Sequence, residues 1–177
     1  SPGVPEYGFS LEAVSQLSQT LEVDSSIAIK FLLESEPDYL YSAETGEIVP
    51  GLAGKYLFAS KVTGAANGAQ TQMVVGSLSE IIQEDGALTL TTASTFDYAW
   101  ISLGLYAQNQ QEMAKNVSAV LATLPRKDGG FGFDNSEFTT ASSTDATAMA
   151  IMALELTKDL DPALTANKQS SIDAALA

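Results

Sequence analysis

The sequence contains no cysteine and no histidine. The first absence removes disulfides, thiolate nucleophiles and thiolate-zinc sites; the second removes the commonest general base and the commonest metal ligand. Any catalysis would have to run on carboxylates, Tyr, Lys, Ser or Thr, and the residues that remain call for no metal and no cofactor. Positive charge is also scarce, with 8 Lys and Arg against 22 Asp and Glu, for a net charge of −14. A field of that sign repels phosphate backbones and anionic lipid, which argues against a nucleic-acid partner. No apolar run reaches the ~18 residues that a membrane helix needs, so no membrane insertion is expected.

What is present describes a folding domain. Hydrophobic residues make up 45% and charged residues 17% of 177 positions, far from the composition of disordered chains and enough to bury one core. The expectation is a single domain over residues 1–177. The chain begins with Ser1, Pro2 and Gly3 and ends inside a helical pattern, so it reads as a piece of a longer protein.

Apolar spacing at the helical period, with caps and breakers, predicts eight helices, over residues 9–21, 27–33, 52–62, 73–82, 97–107, 112–124, 145–156 and 165–176. Leu88 to Thr92 alternates, but a five-residue strand without a partner is marginal, and an extended loop is preferred. Short and long connections alternate between the helices. Long loops bearing Gly46, Gly86 and Gly129 with Gly130 each lead into a helix rich in Ala, Gly and Ser. A short link then leads to a more amphipathic helix. The repeating unit is therefore a helical hairpin. Matching Ser94, Thr95 and Ala99 to Ser143, Thr144 and Ala148 gives a period of 49 (148 minus 99), and matching Asp97 to Asp145 gives 48 (145 minus 97). The small-residue helices are expected inside and the amphipathic ones outside, because small side chains let neighbours approach from several directions.

The strongest copy of the unit runs from Lys127, Asp128, Gly129, Gly130, Phe131, Gly132 and Phe133 to the alanine-rich helix after Ser143. This glycine-aromatic turn and helix resemble the repeats of the α/α toroids shared by squalene and terpene cyclases and protein prenyltransferases. Pro50, Gly51, Leu52, Ala53, Gly54 and Lys55 further resemble repeats of poorly characterised secreted bacterial proteins built on that toroid. The resemblance implies an all-α fold, a partial α/α toroid of about four hairpins in two layers. Fold does not fix function. The glutamine of the cyclase turn is replaced by Pro125, and Phe131 stands where tryptophan is common. Prenyltransferases hold zinc with Asp, Cys and His, a site this chain cannot reproduce.

Class II cyclases carry an acidic motif whose carboxylic acid protonates an alkene or epoxide. Aligning Thr147 and Ala148 with that motif puts Asp145 at the acid position, but its flanking acidic positions are Ser143 and Ala146. The preferred reading makes Asp145 a helix N-cap. Asp128 and Asp134, with Asn135 and Glu137, form a calcium-loop candidate whose spacing does not fit the EF-hand pattern. A local turn in which Asp128 bonds backbone and the glycines adopt positive φ is preferred.

Phe96, Tyr98 and Trp100, with Phe131, Phe133 and Phe138, cluster near helix entrances. They are candidate ligand-site residues, set against the commoner use of aromatics in core packing. Asn116, Val117 and Ser118 match a glycosylation sequon inside a predicted helix, which argues for chance.

The leading functional expectation is a non-catalytic binding or scaffold domain of a secreted or cell-surface bacterial protein. Its ligand would be a small molecule, a glycan or a protein, and since cobalamin carriers use the same toroid, a corrinoid fits that class. A cyclase-like enzyme with Asp145 as acid and a structural spacer are the competing classes. Apolar faces at open repeat ends suggest a homodimer.

Overall fold

The computed structural model describes residues 40–62, 68–133 and 141–176. The helices expected at residues 9–21 and 27–33 lie outside the described residues. The described chain is all-α, with six α-helices: α1 (Pro50–Val62), α2 (Gly68–Ile81), α3 (Thr95–Ala107), α4 (Gln111–Leu121), α5 (Thr144–Thr157) and α6 (Pro162–Leu176). A 3-10 turn over Lys158–Leu160 joins the last two. Among the described residues there is no strand, only isolated antiparallel bridges between Tyr41 and Ile48 and between Ile82 and Leu88. The segment after Leu88 is a loop.

The helices pair as three hairpins. The first helix of each lies beside its counterpart: α3 packs against α1 on one side and α5 on the other. The second helices α2 and α4 pack on their own hairpins with one stripe buried at i, i+3, i+4 and i+7 spacing. In α2 that stripe is Thr71, Val74, Val75 and Leu78, and in α4 it is Ala114, Val117, Ser118 and Leu121. By contrast α3 is buried from Tyr98 through Leu105 without interruption. Its small residues make this enclosure feasible. Gly54 and Gly104 face each other across α1 and α3, and a Cβ on Gly54 would overlap the backbone of Trp100 and Ile101, while one on Gly104 would overlap Gly54. Two helix axes approach this closely only where neither carries a side chain at the crossing.

The three long loops share one construction. Gly46, Gly86 and Gly129 all adopt positive φ, at 70°, 89° and 85°, a backbone region open to glycine at little cost. Two residues after each glycine an apolar side chain plunges into the core: Ile48, Leu88 and Phe131, all 6% exposed or less. In the last two hairpins the backbone N–H of that anchor donates to a hydroxyl four residues into the following helix. Leu88 N donates to Tyr98 Oη at 3.1 Å and Phe131 N to Thr147 Oγ1 at 2.9 Å. The loop glycines also land on the second helix of the next hairpin, Gly86 against Asn116 and Gly129 against Ala174.

The helix caps fix the register of the repeat. Ser94 is the N-cap of α3 and Ser143 of α5, each accepting from the backbone N–H three residues on. Their separation is 49 (143 minus 94), and of the two expected periods this is the one the caps select. Asp97 then corresponds to Ala146, and Asp145 to Phe96. Asp97 does more than cap: its carboxylate accepts from Ser94 N at 2.8 Å, Ser94 Oγ at 2.7 Å and Gly51 N at 2.9 Å. It ties the start of α3 to the first turn of α1.

Helix boundaries differ from expectation by three residues or more at three places. Helix α2 starts at Gly68, before residue 73, because its opening turn is polar and carries no apolar period. Helix α4 stops at Leu121, before residue 124, and the chain turns through Thr123 N donating to Val120 O at 2.8 Å. Helix α6 starts at Pro162, where a missing N–H costs nothing, and the Asp161 carboxylate accepts from Ala163 N at 2.8 Å.

Candidate functional site

Asp145 is not the N-cap of α5; Ser143 holds that position, and Asp145 sits two residues later on the exposed side of the first turn. The Ser143 hydroxyl is one atom shorter than a carboxylate arm and accepts from Ala146 N at 3.4 Å. Asp145 adds only its charge, which complements the positive end of the helix dipole. An acid able to protonate an alkene needs an enclosed, apolar seat and a partner that holds the proton. An exposed carboxylate in the first turn of a helix has no such enclosure.

Asp128 is engaged in its turn through one carboxylate oxygen. Its Oδ1 accepts from Ser142 Oγ at 2.6 Å and from Gly130 N at 3.2 Å. The Ser142 hydroxyl first, and the Gly130 N–H with it, hold the Asp128 carboxyl below the usual carboxylate range. Arg126 N to Gly130 O at 2.7 Å and Ser143 N to Phe131 O at 2.8 Å close the turn on both sides. Asp134, the other calcium candidate, lies outside the described residues, as do Asn135 and Glu137. Among the described residues no group of three Asp or Glu side chains is placed to hold a metal.

The five aromatic candidates among the described residues separate into different environments. Phe131 is completely buried, Trp100 is 3% exposed and Tyr98 is 6% exposed. The Trp100 ring is met edge-on by Phe58 at 6.2 Å and covered by Lys55 Nζ at 5.3 Å from its centroid. Tyr98 serves as the hydroxyl that anchors Leu88. Phe96 and Phe133 form a separate tilted pair with centroids 5.0 Å apart, and Phe133 is 66% exposed. Of the five, this pair is what a ligand could reach. Phe138 lies outside the described residues.

Two of the grooves open to solvent border α6. One, of about 400 Å³, runs between the glycine turn, the first half of α5 and the end of α6, with Ser142, Thr144, Thr147, Ala148 and Ile151 along its wall. The other, of about 500 Å³, lies between α4 and α6 and is lined by Val120, Thr123, Leu164, Asn167 and Lys168.

Lys168 escaped the sequence reading. It is completely buried on α6, and its ammonium donates to Ser118 Oγ on α4 at 2.8 Å and to Thr157 O at the end of α5 at 2.9 Å. No carboxylate pairs with it among the described residues. Burial pushes its pKa down to about 8, with Lys115 adding to the effect and Asp161 opposing it. The carbonyl it meets is at a helix C-terminus, where positive charge is favoured. The available signal was positional: Lys168 falls on the stripe of Leu164, Ser171 and Ile172, at the spacing of a buried face.

Asn116 donates its side-chain amide to Glu84 O at 3.0 Å, and Ser118 is completely buried. The sequon is thus consumed by the fold. No helix among the described residues is long and apolar enough to cross a membrane. No protein-family model, curated protein or solved structure matches the chain.

Proposed function

We propose that the chain is a non-catalytic binding or scaffold domain, a partial α/α toroid of about four hairpins, belonging to a secreted or cell-surface bacterial protein. The observation that carries this reading is that Asp97, Asp128, Tyr98 and Lys168 are committed to architecture and that Asp145 lacks the enclosure an acid catalyst needs. Asp97 and Asp128 hold caps and turns, Tyr98 anchors a loop, Lys168 joins three helices, and Asp145 stands exposed at a helix start. What stays available is surface: the Phe96 and Phe133 pair and the two grooves. The acidic composition suits a protein that works outside the cell and stays soluble there.

A thermal-shift screen of apolar small molecules, glycans and a corrinoid tests the binding role. A true ligand present at a hundred times its dissociation constant stabilises by about 2.7 kcal/mol. Absence of any shift across the three classes favours a structural spacer. Incubation with polyprenyl substrates tests the catalytic alternative; product formation abolished by Asp145→Asn would overturn the non-catalytic reading.

A further inference from the structure

The 49-residue register allows α3 and α5 to be compared face by face. Asp97, Ile101 and Gly104 lie on the side of α3 turned to α1. Their counterparts Ala146, Ala150 and Ala153 are buried in α5, which packs against α3. The opposite side behaves differently. On α3, the residues Thr95, Tyr98, Ala99, Ser102 and Leu103 are all buried. Their counterparts on α5 are Thr144, Thr147, Ala148, Ile151 and Met152, of which Thr144, Ala148 and Met152 are exposed and the other two half-buried. Met152 is 36% exposed, against complete burial of Leu103. The same face is covered in one repeat and uncovered in the next.

We propose that this face of α5 is a docking surface for a further hairpin of the same repeat. The incoming hairpin leads with a small-residue helix whose edge follows the pattern of Ala146, Ala150, Ala153 and Leu154. The face continues an existing interface. The residues of the α3 face are all buried, α3 packs against α5, whose buried edge has that pattern, and α5 repeats the α3 face in the same register. The 400 Å³ groove beside Thr144, Thr147, Ala148 and Ile151 is the space the incoming glycine loop and helix start would fill. A second whole copy is a poorer occupant, because it brings a chain of net charge −14 against another of the same charge. The inference does not require that the domain bind any other ligand.

The absence of cysteine makes the test direct. Met152→Cys and, separately, Ala148→Cys place a unique thiol on the face, and Met73→Cys, on the exposed side of α2, serves as control. A copy of residues 128–176 is appended after Leu176, continuing the spacing. Maleimide labelling at positions 148 and 152 then slows about tenfold or more, labelling at 73 is unchanged, and the melting temperature rises, as expected when a repeat gains a neighbour. Ala150→Lys with Ala153→Lys in the appended copy restores fast labelling. Unchanged labelling at 148 and 152 with the extension present overturns the proposal, whether or not the added residues are helical. Slow labelling in the unextended chain also overturns it: if the protection grows with protein concentration the occupant is a second copy, and if not, it is another part of this chain.

Discussion

Helices α1 and α3 meet backbone to backbone through Gly54 and Gly104, whereas α4, α5 and α6 are bridged by the long side chain of Lys168 reaching Ser118 and Thr157. The two ends of the described chain therefore solve the same problem, joining consecutive hairpins, by opposite means. At the glycine end specificity is steric: the helices fit because nothing lies between them. At the lysine end it is polar, and the bridge carries the desolvation cost of a buried ammonium that two neutral acceptors only partly offset. A steric joint fails abruptly on enlargement. A polar joint depends on what replaces it and on pH.

The largest effect is expected at the glycine joint. Gly54→Ala or Gly104→Ala forces a methyl group into the opposite backbone, which cannot yield without separating the helices. Overpacking of this kind costs about 3 kcal/mol or more, read as a fall of about 10 °C in melting temperature for a chain of this size. Tolerance of alanine at both positions, with melting unchanged, would show that the joint is looser than its geometry.

Lys168 offers the contrasting experiment. Lys168→Ala leaves a cavity and two acceptors unfilled, at a cost of about 2 kcal/mol, while Lys168→Met keeps the volume and is expected to be near neutral at pH 7. The pH dependence follows from the direction of the shift. The folded pKa of about 8 lies below the ordinary lysine value, so between those two pH values the unfolded chain binds more protons and stability rises with pH. The penalty is fully present below pH 8 and fades above it. The melting temperature of the natural chain measured against Lys168→Met should therefore climb from pH 7.5 to 9.5. Groups around Lys168 that enter this balance are Lys115 and Asp161. A flat difference would place a counter-charge at Lys168.

A smaller effect compares equivalent hydrogen bonds in two hairpins. Tyr98→Phe and Thr147→Val each remove the hydroxyl that receives a loop N–H, and each should cost about 1 to 2 kcal/mol. Phe131 N is only partly buried and Leu88 N sits in a buried bond, so the Tyr98 variant should lose more. Urea midpoints for the two variants decide the order.

These joints differ in how visible they are in sequence. The small-residue helices, the alternating loop lengths and the glycine positions were legible because each follows from a local constraint: close packing needs Gly and Ala, and positive φ needs Gly. The period was legible to within one residue, and choosing between 48 and 49 needed the cap geometry of Ser94 and Ser143. The aromatic cluster divides in the fold because proximity along the chain does not say which side of a helix each ring occupies; Tyr98 and Trp100 turn inward while Phe133 turns out. Lys168 was invisible for the opposite reason. Composition assigns lysine to solvent, and only the surrounding stripe on α6 marks it as inward.

The smallest expected effect concerns the start of α5, where the reading of Asp145 as a cap and its observed place differ by measurable amounts. An N-cap satisfies a backbone donor, so its removal costs about 1 kcal/mol and survives high salt. A carboxylate in the first turn contributes only through the dipole, about 0.5 kcal/mol, and is screened by salt. With Ser143 as the cap, Ser143→Ala should lower the melting temperature more than Asp145→Asn, and the Asp145 effect should vanish near 1 M NaCl while the Ser143 effect persists. The reverse order would return the cap to Asp145, break the 49-residue spacing of the caps and remove the face correspondence between α3 and α5 on which the docking surface rests.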